Sequence, residues 1–503
     1  MDQTPSWNNK ELLCSGLPSR PLPDTRRVLV TGASGYVGGR LVPELLARGY
    51  QVRAMVRDNV AQYKERWPMA QIVVADALKR EQLTEPLKEI DTAYYLMHSL
   101  LKGPKEFESA DLEAAVNFRK AAEENKVKRI IYLGGLGDSK SSHSHHLQSR
   151  MAVAEELRLG AVPVTILRAA VIIGSGSASY EIMNHLARRL WVVLLPYWVH
   201  NRCQPIAIRD VIKYLVGVFE VPETTGEEYD IGGQDVLTYK EMLRRFVRFL
   251  NKKRLLISLP LFSISVAAYV ISLLTPVPAP IIKCLMEGLK DEVVCRDDRI
   301  RKILPFEPLT YEEAIKLAVS REEQDMVDTR WSDAYPRDHA VAIKLHELSE
   351  RPIYTASHSL LTNKSPSCLF ASVCKIGGKE QWYHSNWMWK LRGSADRMLL
   401  GVGTARARKS YSRLAVGDVI DFWRIEDLEK NRRLLLRSEM KMPGAGWLEF
   451  KIQTADDKHE LSVANYFHTT SLLGKVYWYT FIPFHHFILR RLIERIEDQS
   501  QME

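Results

Sequence analysis

The chain has 503 residues, too many for one hydrophobic core, so two or three domains are expected. Its composition, 46% hydrophobic and 26% charged residues, is that of an ordinary globular protein. The net charge of +9 is uneven: from Arg351 onward there are 23 Lys and Arg against 16 Asp and Glu, an excess that suits an anionic ligand or a membrane surface, or is merely solvated, and with no recognition motif beside it nucleic acid is excluded as a partner.

The six cysteines (Cys14, Cys203, Cys284, Cys295, Cys368 and Cys374) are scattered, with no Cys-x-x-Cys spacing. That excludes a zinc ribbon, argues for a reducing, cytoplasmic setting, and leaves no expected metal site. Residues 1–25 are polar and proline-rich without the apolar core of a signal peptide, and read as a disordered leader.

Residues 26–330 read as an α/β domain. Val28 to Val30 form a short apolar run that breaks into a turn holding Gly32, Ala33, Ser34, Gly35, Tyr36, Val37 and Gly38. A helix pattern with Leu41, Val42, Leu45 and Leu46 on one side follows directly. Strand, glycine turn and helix N-terminus in that order make a dinucleotide cradle. Gly32 permits the tight turn, Gly35 lets backbone approach a pyrophosphate, and Gly38 lets helix and strand pack closely.

The next strand, Gln51 to Arg57, chooses the cofactor. Its end lies about twenty residues past the glycines, where an NAD site would carry an acid for the ribose hydroxyls. Here Arg57 stands, and a carboxylate follows only at Asp58. A guanidinium matches a 2′-phosphate in charge and fork geometry, so NADP(H) is favoured over NAD.

Further strands end at Asp76-Ala77, at Met97-His98 and, after Arg129 to Leu133, at Gly134-Gly135. Strands alternating with helices at this spacing imply a doubly wound parallel Rossmann sheet with ligands at the carboxyl ends, where Ser34, Asp76, His98 and Gly134 fall. Leu255 to Thr275 carries no charge and is long enough to span a bilayer. Pro260, four serines and the Pro276-Pro278-Pro280 series favour a buried or interface helix, with peripheral membrane contact left open.

A polar linker, 331–350, leads to residues 351–503, where the period changes. Val419–Ile425, Arg433–Met440, Trp447–Ile452 and Glu460–Phe467 alternate as strands, and a helix of some 25 residues, Leu472 to Glu497, follows. A meander curling around one long helix encloses a cavity. Six of the 11 tryptophans lie in this third (Trp382, Trp387, Trp389, Trp423, Trp447 and Trp478), either lining that cavity or packing the core.

Thr31 to Gly38, Val52 to Arg57, Ile131 to Gly137 and Leu167 to Gly174 resemble an atypical short-chain dehydrogenase/reductase, near the branch like the nitrogen-metabolite-repression regulator. The last third is similar to a domain often fused to such reductases, itself resembling the START/polyketide-cyclase helix-grip fold (an α+β domain). The resemblance implies NADP(H) binding and a Ser, Tyr and Lys catalytic set, from which this chain departs. Gly134 or Gly135 takes the serine place, and His146 and Arg150 stand where Tyr-x-x-x-Lys belongs. Arg150 can hold a ribose or phosphate but cannot be a base. His146 is the remaining candidate acid, against the alternatives of a solvated loop histidine or a metal ligand. The expectation is an oxidoreductase acting on an apolar carbonyl or alkene. A non-catalytic NADP(H) sensor and a membrane-associated lipid carrier are the alternatives.

Overall fold

The computed structural model describes residues 12–22, 27–57, 60–98, 107–137, 144–260, 263–323, 352–377, 414–455 and 457–500, with isolated positions 345, 348, 393, 394, 396 and 398. The chain divides into two compact units, 1–334 and 335–503.

The first unit is built on β1 (Arg27–Val30), β2 (Gln51–Val56), β3 (Gln71–Val74), β4 (Thr92–Tyr95), β5 (Arg129–Gly135), β6 (Val164–Ala169) and, ahead in the chain, a late strand at Glu228–Ile231. The seven pair in parallel, in the order late strand, β6, β5, β4, β1, β2, β3. Alternating side chains bury both faces, as a sheet covered on both sides requires. Val28, Val30, Val52, Ala54 and Val56 pack with α1 (Gly38–Ala47). Leu29, Met55, Ala93, Tyr95 and Ile130 pack with α2 (Phe107–Glu124) and α3 (His145–Arg158). Strand order reverses at the β1–β4 junction, which opens the crevice where α/β sheets bind ligands.

Beyond β6 come α4 (Ala178–Arg189), β7 (Val192–Pro196), α5 (Ile208–Glu220), β8 (the late strand, Glu228–Ile231), α6 (Tyr239–Phe249), β9 (Leu255–Leu259), α7 (Ile264–Leu274) and α8 (Ala279–Gly288). Thr238 caps α6, its hydroxyl accepting from Glu241 N at 3.1 Å.

Two expectations are corrected. Residues 12–22 are not part of a disordered leader. Cys14 is buried, Leu13 N and Cys14 N donate to the Glu44 carboxylate at 2.9 and 3.1 Å, and Leu22 N donates to the Tyr50 hydroxyl at 2.9 Å. Leu255–Thr275 is not one buried helix: β9 pairs in parallel with β7, α7 begins only after Pro260, and within α7 Ala268 alone is fully buried. Among the described residues no helix is long and apolar enough to cross a membrane.

The second unit is an antiparallel six-stranded sheet. Its strands are β10 (Tyr354–Thr362), β11 (Val419–Ile420), β12 (Trp423–Glu429), β13 (Arg433–Ser438), β14 (Ala445–Ala455) and β15 (Lys458–His468), in the order β10, β15, β14, β13, β12, β11. The 27-residue α9 (Leu472–Asp498) packs on it through Trp478, Leu489, Leu492 and Ile493. Trp447 donates to Glu426 Oε2 at 3.0 Å and is core, whereas Trp423 and Trp478 border a cavity of about 60 Å³. Trp382, Trp387 and Trp389 lie outside the described residues, as does nearly all of the expected linker.

Candidate cofactor and active site

The turn from β1 into α1 has the form the glycines require. Gly32 adopts φ +62°, a left-handed conformation, and a Cβ there would meet Leu96 O at 2.6 Å. A Cβ on Gly38 would lie 2.3 Å from Gly32 O, so α1 sits directly against the turn. A Cβ on Gly35 would meet only Gly32 O, at 3.1 Å, leaving its other side clear for a phosphate. Thr31, the first residue of the motif, anchors the turn to β4: its hydroxyl donates to Tyr94 O at 2.8 Å and accepts from Leu96 N at 3.2 Å. No side chain caps the N-terminus of α1; Gly39 N and Arg40 N donate to Gly35 O and Val37 O at 3.0 Å each, so the turn ahead of them carries the approach to a phosphate. The cradle fits a dinucleotide.

Tyr36 is less a ligand contact than a brace. The Arg40 guanidinium lies 4.2 Å over its ring, and a Cβ on Gly174 would come within 2.6 Å of its hydroxyl. Arg40 itself donates to Tyr36 O and Ser175 O at 3.1 and 2.9 Å. Arg57 follows β2 and is partly buried; Asp58 lies outside the described residues. On the neighbouring strand end Asp76 folds its own turn, Oδ1 accepting from Leu78 N at 3.1 Å, while Ala77 O accepts from Asn117 at 3.1 Å.

The opposite rim gathers Met97, His98, Gly134, His146 and Arg150, together with Asp111, which no sequence signal marked. The second turn of α2 carries Asp111, and its Oδ2 stands 2.7 Å from His98 Nδ1. That carboxylate assigns the Nδ1–H tautomer and leaves Nε2 as the acceptor. The His98 and His146 rings lie 4.9 Å apart. His146 is not on a solvated loop: Ser144 caps α3, and the imidazole is largely buried in its first turn, with Nδ1 lacking a hydrogen-bond partner among the described residues. Arg150 donates to Met97 O at 3.3 Å and to Leu133 O and stacks 4.7 Å over Tyr132, clamping the ends of β4 and β5 together. A Cβ on Gly135 would meet Leu147 Cδ2 at 2.8 Å, so a serine there would have to displace that leucine. Among the described residues no cluster of His, Cys, Asp and Glu could hold a metal.

Burial holds the His98 pKa below the usual 6.5, the Asp111 contact opposing it. Burial, then the charges of His98 and Arg150, push His146 much further down. Both imidazoles are therefore neutral at pH 7. Above pH 6.5 neither the folded nor the unfolded chain protonates them. As pH falls below 6.5 the unfolded chain takes up protons that the folded chain refuses, so stability falls at up to about 1.4 kcal/mol per pH unit for each histidine. His146→Leu is expected to flatten this loss. Urea midpoints at pH 7.5, 6.5 and 5.5 check it, and an unchanged slope would assign the acid sensitivity elsewhere.

Beyond Gly134–Gly137 opens a cleft of about 360 Å³ that sequence reasoning missed. It is charged, with Arg168 paired to Glu228 and Asp230 at 2.9 and 2.6 Å and Arg158 to Glu228 at 2.5 Å.

Comparison with known proteins agrees with this geometry. Residues 32–187 match the family described as NAD(P)H-binding, and residues 349–492 the family described as "Protein of unknown function (DUF2867)". The first unit is thus similar, over those residues, to NAD(P)H-binding proteins, in keeping with its Rossmann-like parallel sheet. Over 224 residues (42% of this chain, 55% of the relative) the chain is 28% identical to the mitochondrial NADH dehydrogenase (ubiquinone) 1 alpha subcomplex subunit 9 of Arabidopsis thaliana. It is 20% identical over 247 residues (48% of this chain, 75% of the relative) to the photosystem II assembly factor Ycf39 of Trieres chinensis. The chain thus spans only about half the length of the first of these. A nucleoside-diphosphate-sugar epimerase structure from Staphylococcus aureus aligns with TM-score 0.49 and 17% identity, over 58% of this chain and 99% of that one.

Proposed function

We propose that the protein is an NADP(H)-dependent oxidoreductase acting on an apolar carbonyl or alkene. The observation that carries this is the juxtaposition, across one crevice, of a complete glycine cradle and the His98–Asp111 pair. Gly32 to Gly38 would hold the pyrophosphate, Arg57 the 2′-phosphate and Asp76 the adenine side, and the bound cofactor would supply a hydride. The chain's own work is then to move a proton. Asp111 fixes the His98 tautomer with Nε2, enclosed in this structure, as the atom that would accept a proton from an alcohol once substrate opens the rim, or return it in the reverse direction. His98 takes this role rather than His146, whose deeper desolvation leaves it without a readily held proton. An activated alkene would accept hydride without a serine–tyrosine pair. The antiparallel sheet packed on α9 supports a helix-grip reading of the second unit, its small cavity between Trp423, Met440, Phe467 and Trp478 suiting an apolar group.

The test is NADPH oxidation against a panel of apolar ketones and enones. Turnover that falls in Asp111→Asn, with a shifted pH profile, is expected. Silence across the panel despite tight cofactor binding would leave the second reading, a cofactor-responsive protein without catalysis, which the commitment of Arg150 to backbone carbonyls favours. That reading requires unequal affinities for the oxidised and reduced cofactor. For cofactor choice, Arg57→Asp is expected to lower NADP(H) affinity by about tenfold or more while sparing NAD, the loss of one charge-assisted phosphate contact. Titration calorimetry reads this, and an unchanged preference removes Arg57 from the role.

A further inference from the structure

The β7–β9 ribbon is apolar on both faces. Val193 and Leu195 point into the core, as an ordinary ribbon would have it. On the other face Val192 and Leu194 pair with Leu255 and Ile257, and all four are exposed. Trp191, 77% exposed, opens the ribbon, and Tyr197, 67% exposed, follows it. Next in the chain, α7 exposes Val266, Tyr269 and Val270 at i, i+3 and i+4 spacing, a second apolar stripe. A patch of this kind on a globular unit marks a docking surface rather than chance exposure.

Charge says what docks. α4, β7, β9 and α7 and the segments just before β9 and after β7 carry Arg188, Arg189, Arg202, Lys252, Lys253 and Arg254 against Glu181 alone, with Arg202 paired to Glu292. Several surround the patch. Arg254 lies 5.0 Å over the Trp191 ring and donates to Ala187 O and Arg188 O, Arg189 bridges from α4 to Leu274 O at 2.7 Å, and Lys252 and Lys253 are exposed just before the ribbon. Aliphatic side chains flanked by tryptophan and tyrosine, within a collar of cations, match the layers of a bilayer surface: acyl chains, headgroup interface, phosphates. With 11 residues, α7 is too short to span a bilayer.

We propose that the outer side of the β7–β9 ribbon docks on anionic lipid bilayers, inserting to the depth of the headgroups. The proposal goes beyond the cofactor reading and does not depend on it.

The experiment is flotation of the full chain with vesicles of phosphatidylcholine alone or with phosphatidylserine, at low and high salt, alongside NADPH affinity. Binding to the anionic vesicles, reduced by salt, is expected. Leu194→Glu/Ile257→Glu and, separately, Lys252→Glu/Lys253→Glu should each lower partitioning by about tenfold or more with NADPH affinity unchanged. Unchanged NADPH affinity reports that the first unit of each variant remains folded. Absence of flotation at low salt, or flotation indifferent to both pairs, overturns the proposal. So does a concentration-dependent dimer that Leu194→Glu/Ile257→Glu dissolves without any vesicle binding, because the face would then belong to a second copy of the chain.

Discussion

Gly38→Ala is expected to abolish measurable NADPH binding and to destabilise the first unit. The new Cβ would sit 2.3 Å from Gly32 O, 2.9 Å from Gly32 C and 2.9 Å from Ala33 Cα. All three are backbone atoms, so no rotamer relieves the clash and α1 must retreat from the turn. Overpacking of this kind costs about 1–3 kcal/mol, and it also distorts the turn on which the proposed pyrophosphate would lie. Gly35→Ala separates the two effects. Its Cβ would touch only Gly32 O at 3.1 Å, so the melting temperature should move by no more than about 2 °C, while the methyl group occupies the approach a pyrophosphate needs. Calorimetric titration beside thermal melts reads both. Gly35→Ala binding NADPH like the unsubstituted protein would show that the phosphates do not lie on this turn, and with it the proposed function would fall.

The cradle was legible because a single local pattern encodes it: an apolar strand, three glycines at fixed offsets and an amphipathic helix. The parallel, doubly wound character of the sheet followed from the same alternation of strands and helices, whereas the order of its strands is a matter of the structure. What the sequence hid was contact between distant segments. Asp111 and His98 are 13 residues apart, and nothing in an alternation of apolar and polar residues says that α2 brings the one against the other. Tyr354–Thr362 escaped notice as a strand because its serines, histidine and threonines look like loop, yet it pairs along its whole length with β15. Val419 to Ile425, read as one strand, is broken at Asp421, where φ is +54°. The uncharged run from Leu255 misled in the opposite sense: lack of charge suggested burial, but the side chains that lack charge face outward.

Removing the Glu220 carboxylate is expected to be the most destabilising single change in the first unit. Glu220 ends α5 with its side chain fully buried, and it receives Arg48 Nε and Nη2 at 2.5 Å each, the Tyr50 hydroxyl at 3.0 Å and the Ser19 hydroxyl at 2.6 Å. Burial pushes the Tyr50 phenol up, so it is a neutral donor at pH 7. Arg48 also donates to Cys14 O and Ser19 O at 2.9 and 2.8 Å, so one ion pair fastens residues 12–22 to α1 and α5. In Glu220→Ala the Arg48 guanidinium, with a side chain only 11% exposed, is left without its counter-charge, at a cost of about 3–5 kcal/mol. The pair itself contributes much less than that, because its attraction is offset by desolvation of both charges. Arg48→Met/Glu220→Leu should therefore be more stable than Glu220→Ala alone, by about 1–2 kcal/mol. Urea midpoints of the two variants decide the energetics, and limited proteolysis near Ser15 should rise in Glu220→Ala as the tether loosens. A double variant no more stable than the single would mean that Glu220 acts through its hydroxyl partners and not through Arg48.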